Sequence, residues 1–132
     1  MFKTVLFPID QSRESRQAAE TVSNLVKFHQ SRLVILSVVE EGSDQSDAMA
    51  SEEAVAGLLE NAKSLFSQQG VEAETIEREG KPAFTICDVA DEVEADVIVM
   101  GCRGLGLTEE GAADSVTNRV ISLSPCPVLV VP

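Results

Sequence analysis

The sequence predicts an α/β domain in which a five-stranded parallel sheet is doubly wound by four helices. Three observations predict it. Short, nearly continuous apolar runs recur along the chain, as expected of strands buried on both faces. Between them lie longer stretches whose apolar residues repeat at helical spacing. The alternation of strand and helix then calls for right-handed crossovers between parallel strands.

Val5, Leu6, Phe7, Pro8 and Ile9 form the first strand. Asp10 and Gln11 follow, and Ser12 is placed to cap a helix carried by Ala18, Val22, Leu25 and Val26 and ending near Phe28. Leu33 to Val39 is the second buried strand. The stretch from Glu40 to Glu53 holds six acids and no cation, and its Gly, Ser and Asp content reads as a solvated loop. Residues Glu41 to Ser51 are expected to be the most mobile, because like charges repel there and little apolar surface is buried. A second helix is carried by Ala54, Val55, Leu58, Leu59, Ala62, Leu65 and Phe66 and is stopped by Gly70. Val71, Ala73 and Thr75 alternate with Glu72, Glu74 and Ile76, the pattern of a strand at a sheet edge. Gly80, Lys81 and Pro82 turn the chain into a third helix, with Pro82 in its first turn and Ala83, Ile86, Cys87, Ala90 and Val93 on one face. Val97 to Met100 is the clearest strand. After a Gly-containing segment from Gly101 to Gly111, a fourth helix carries Val116, Val120 and Leu123, and Pro127 to Val131 is the fifth strand.

Length and composition fit one domain over residues 1–132. Ten Lys and Arg against 22 Asp and Glu leave a net charge of −12, so nucleic acid and anionic membrane surfaces are poor partners. No leader-like segment and no apolar stretch of spanning length is present, and a cytoplasmic location is expected. Cys87, Cys102 and Cys126 are an odd number without a C-x-x-C spacing or a His partner, which argues against a disulfide framework and a zinc site. The single His29 lies near the end of the first helix, where a solvated or helix-terminal role is expected. No nucleophile–base pair is legible, so catalysis is not expected beyond, at most, weak ATP hydrolysis.

In doubly wound sheets, ligands sit beyond the carboxyl ends of the strands where the strand order reverses. With the first strand central, that crevice lies between the segments following strands one and four, which places Asp10 beside the stretch from Gly101 to Ser115. Glycines directly after a buried strand let backbone amides approach a ligand closely, so Gly101, Cys102, Arg103 and Gly104 make a candidate phosphate cradle. A strand-to-helix turn needs glycine in any case, and the spacing is a weak signal taken alone.

The chain resembles the universal stress protein family along essentially its whole length, through VLFPIDQS (Val5 to Ser12), LSVVE (Leu36 to Glu40), GKPAFTI (Gly80 to Ile86), DVIVMGCRGL (Asp96 to Leu105) and SVTNRVISLSPCPVLVV (Ser115 to Val131). The resemblance implies a Rossmann-like sheet in the order 3-2-1-4-5 and a homodimer through the fifth strand. In one branch it also implies ATP held by a G-x-x-G, nine residues, G-[S/T] motif. Gly101 and Gly104 match the first two motif glycines and Ser115 the final hydroxyl. Asp10 and Val38 match adenosine-contacting positions, and the adjoining Met100, Arg103 and Val116 join them as candidates.

The third motif glycine is replaced by Asp114, and Glu109 and Glu110 stand where the family's ATP binders usually carry basic residues. A carboxylate at a helix start is favoured by the macrodipole and takes the place of a phosphate. A like-charge pair at 4 Å is worth about 1 kcal/mol in water and about 4 kcal/mol at an effective dielectric of 20, enough to weaken polyphosphate binding by about tenfold or more. The expectation is a cytoplasmic stress-response protein acting as a dimeric regulatory or interaction module with a degenerate, weak nucleotide site for ATP or AMP with Mg²⁺. The alternative is an ATP- or AMP-binding stress sensor. A flavin carrier or enzyme on the same scaffold is disfavoured, because the loops hold no Trp, Tyr or Phe. The dimer is expected to pair Val128, Leu129, Val130 and Val131 with their copies, since an apolar edge strand leaves unpaired backbone groups.

Overall fold

In a computed structural model, residues 2–9, 13–40, 52–101 and 116–132 are described. The elements run β1 (Thr4–Pro8), α1 (Arg13–His29), β2 (Arg32–Glu40), α2 (Glu52–Gln68), β3 (Ala73–Gly80), α3 (Pro82–Glu92), β4 (Val97–Gly101), α4 (Val116–Leu123) and β5 (Val128–Val131). All the described pairings are parallel, and the strand order is β3-β2-β1-β4-β5. The expected α/β architecture and the central position of the first strand are both observed.

Pleating divides each central strand between two cores. Val5, Phe7 and Ile9 of the first strand segment, Leu33 and Ile35 of β2, and Val97 and Val99 of β4 join Ala18, Val22 and Val26 of α1 and Val55, Leu59 and Phe66 of α2. The alternate residues Leu6, Val34, Leu36, Ile98 and Met100 join Ala83, Ile86, Cys87, Val89 and Ala90 of α3 and Val120 of α4 on the opposite face. Continuous apolar runs in the sequence are therefore the signature of a sheet covered twice.

Three helices end alike. The amide of Ser31 donates to Val26 O (3.0 Å), that of Val71 to Phe66 O (2.9 Å) and that of Ala95 to Ala90 O (2.9 Å), the six-residue closure of a Schellman turn. The preceding residues, Gln30, Gly70 and Glu94, have φ of 54°, 81° and 55°. Only the second of these is glycine.

Several local expectations need correction. The third strand starts at Ala73 rather than Val71, because the Val71 amide is spent closing α2. It extends to Gly80 because β2 supplies register partners as far as Glu40. Thr75 is exposed, and Ile76 instead packs on the α3 face. Leu65 of α2 and Leu123 of α4, expected on apolar faces, are 54% and 47% exposed. Val89 is buried on α3 in addition to the residues expected there. Ser12 and the acidic stretch from Glu41 to Ser51 lie outside the described residues, as does Cys102.

Hydrogen bonding at the end of β1 shapes the centre of the sheet. The Ile9 amide donates to Leu36 O of β2 (2.8 Å), and Asp96 N donates to Thr4 O (2.8 Å). Odd residues of β1 thus address β2 and even residues address β4, so the Pro8 nitrogen, which has no hydrogen to donate, faces β4. Pairing between β1 and β4 covers only Val5 with Val97 and Leu6 with Ile98. Beyond that point the ladder stops, at the place where the strand order reverses.

Candidate functional site

The described candidates lie towards the carboxyl ends of β2 and β4 and at the start of α4. Met100 is fully buried at the end of β4, and Val38 and Val116 are half-buried and pack against the apolar cluster to which Met100 belongs. Pleating explains the grouping: Val38 lies on the same face of β2 as Val34 and Leu36, and Val116 opens the helix that packs on that face. Three candidates far apart in sequence are thus brought to one side of the strand ends.

Gly101 is the last residue of β4 and pairs in register with Val131 of β5. Its carbonyl accepts a hydrogen bond from Thr117 Oγ1 at 3.1 Å. Thr117 is one of few buried polar side chains among the described residues, 4% exposed, and it ties the first turn of α4 to the end of β4. Sequence reasoning missed it, because a hydroxyl two residues after Ser115 reads as an ordinary member of a helix start. The available signal was a Thr inside the matched SVTNRV stretch. The candidates Asp10, Arg103, Gly104 and Ser115, and the substituted Asp114, lie outside the described residues.

What the described candidates offer is apolar side chain and strand-end backbone. Of the motif positions that the resemblance implies, Gly101 closes β4, while 104, 114 and 115 lie outside the described residues, as does the cation Arg103. Among the described residues, no group of three or more His, Cys, Asp and Glu is placed to hold a metal ion. No described helix is long and apolar enough to cross a membrane.

The opposite end of the sheet carries different features. His29 sits there in the last turn of α1, its ring 5.2 Å from Phe2 and 5.0 Å from Phe28 in edge-on contacts. An open cavity of about 610 Å³ lies at the same end, lined by Lys27, Gln30, Arg32, Gly70, Glu72 and Glu74 among others. Arg32 and Glu74 pair across β2 and β3, which holds the Glu74 carboxyl below its ordinary range. Neither feature adjoins the strand ends that carry the candidates.

Cys87 and Cys126 are free thiols of the α3-side cluster. Burial pushes both thiols up, Asp88 adding to the effect at Cys87 and a Ser124 hydrogen bond opposing it at Cys126. Cys87 thus lies on the helix face expected of it.

The profile of the universal stress protein family matches residues 1–132. A universal stress protein of Synechocystis sp., Sll1654, is 68% identical over an alignment covering 100% of this chain and 87% of the relative. Among solved structures, universal stress protein UspA from Lactobacillus plantarum superposes with a TM-score of 0.85 at 25% identity, covering 99% of this chain and 98% of that one. A universal stress protein in complex with cAMP superposes with a TM-score of 0.82 at 24% identity, covering 99% and 97%. A full-length profile match, a highly identical relative and a shared strand order agree, and the chain belongs to the universal stress protein family.

Proposed function

We propose that this chain is a cytoplasmic, homodimeric stress-response module, regulatory rather than enzymatic, that takes an adenine nucleotide weakly at the carboxyl end of its sheet. The observation that carries the reading is the grouping of Val38, Met100 and Val116 beside Gly101, where β1 and β4 part. In this reading Val38, Met100 and Val116 contact adenosine together with Asp10, and Gly101, Arg103, Gly104 and Ser115 meet the phosphates, with Mg²⁺ offsetting part of the charge. Asp114 limits the affinity. The cAMP complex of a universal stress protein with the same fold supports an adenine nucleotide as the ligand class. The placement of the lone His29 at the other end of the sheet supports a binding role over a catalytic one.

The two sheet edges support the dimer. β3 exposes Glu74, Glu77, Arg78 and Glu79, charges of the kind that keep an edge from pairing. β5 presents Val128, Leu129, Val130 and Val131, with Leu129 38% exposed. An isologous pairing of β5 with its copy covers the uncharged edge.

Calorimetric titration of the parent and Asp114→Gly with ATP and AMP, with and without Mg²⁺, tests the reading. The parent should bind with a dissociation constant above about 10 µM, and Asp114→Gly should bind about tenfold or more tightly. Low-micromolar binding by the parent would make the protein a nucleotide sensor instead. No binding by either form would overturn the nucleotide site.

A further inference from the structure

Thr117 contributes a contact that its position in a helix start does not require. A hydroxyl in the first turn of a helix ordinarily meets solvent or a neighbouring backbone group of the same turn. Here it is buried and donates to a carbonyl 16 residues earlier in the chain, that of Gly101 at the end of β4. Val116 and Gly101 are two of the candidate nucleotide contacts, and Thr117 is the neighbour of the first and the hydrogen-bond partner of the second. The rest of α4 is held by Val116 and Val120 packing on the α3-side core. Apolar packing is non-directional and fixes the distance of the helix from the sheet better than its position along the strand axis. A directional bond at the first turn supplies that missing constraint.

We infer that Thr117 is a positioning residue of the nucleotide site: its hydroxyl sets the first turn of α4, and with it Val116, against the strand end at Gly101. This inference rests on the proposed nucleotide-binding reading. Thr117 itself is turned into the core and need not touch the ligand. Removing the hydroxyl leaves the methyl packing intact, deprives the Gly101 carbonyl of its partner and frees the helix start to shift. Binding-site groups misplaced by such shifts lose affinity out of proportion to their distance from the altered atom.

The test compares the parent with Thr117→Val, nearly isosteric without the hydroxyl, and Thr117→Ser, which keeps it. ATP and AMP titrations are run on all three, alongside thermal melting. The expected result is affinity about tenfold lower for Thr117→Val, one buried hydrogen bond converted to a binding ratio, and affinity within about twofold of the parent for Thr117→Ser. Measurable parental binding that Thr117→Val leaves unchanged overturns the positioning role and leaves the nucleotide site standing. Equal losses in both variants also overturn it, because the effect would then not depend on the hydroxyl, which Thr117→Ser keeps. A parent that binds neither nucleotide overturns the nucleotide site, and the positioning role with it. Should Thr117→Val not fold, Thr117→Ser carries the test, and a tenfold loss there overturns the role.

Discussion

Cys87 is the most buried thiol among the described residues, 9% exposed on the core face of α3. Burial raises its pKa, and the charge of Asp88 and the neighbourhood of Cys126 push it the same way. Cys126 is raised for the same leading reason. The reactive species is the thiolate, so both thiols should label with an aromatic disulfide reagent far more slowly in the native protein than in denaturant at pH 8. The sign of the stability effect follows. A thiol whose pKa is raised by folding contributes fully below the ordinary value of about 8.5, and its contribution is lost as pH rises beyond that point. Denaturation midpoints should therefore fall above about pH 8.5, and Cys87→Ala should flatten the decline. Native labelling as fast as that of the unfolded chain would show that the helix face is open. The Arg32–Glu74 pair, by contrast, is about half exposed on both sides, and solvent leaves it little to contribute.

At the scale of elements, the strand cores were legible because their composition follows from burial on two faces, whereas element ends depend on hydrogen-bond partners that no local pattern specifies. β3 shows this: Val71 belongs to the alternating pattern, yet its amide closes α2. Leu65 and Leu123 fit the helical period but are about half exposed, since periodicity gives the side of a helix and not how far the layer beneath it reaches. Pro8 reads as one more apolar residue until the register shows that its nitrogen faces β4. The helix ends also yield a prediction. Gly70 adopts its left-handed conformation without steric penalty, while Gln30 and Glu94 hold the same conformation with a Cβ. Gln30→Gly and Glu94→Gly should each stabilise the protein by about 0.5–1 kcal/mol, and Gly70→Ala should destabilise it by a similar amount. Urea midpoints at constant slope read all three directly. Opposite signs would mean that unfolded-state entropy outweighs the local strain.

On the scale of the whole molecule, the strand order β3-β2-β1-β4-β5 puts the end of β4 next to the edge strand β5. The sequence marks Val38, Met100 and Val116 only through resemblance, because their common face depends on pleating and on the packing of α4. The same geometry joins the candidate site to the proposed dimer edge through one residue. Gly101 accepts the Thr117 hydrogen bond and pairs with Val131 of β5. In the proposed reading, a nucleotide that moves Gly101 would reach the strand proposed to pair with its copy through this register. Coupling between two binding equilibria is reciprocal. Leu129→Lys, which places a charge on the β5 edge, should yield a monomer by sedimentation equilibrium. If the coupling runs through Gly101, that monomer should bind ATP with an affinity differing from the parent's by about fivefold or more. Saturating ATP should shift the parent's dimer dissociation constant by the same factor per bound nucleotide. An unchanged ATP affinity in a folded Leu129→Lys monomer would mean that β4 transmits nothing across to β5.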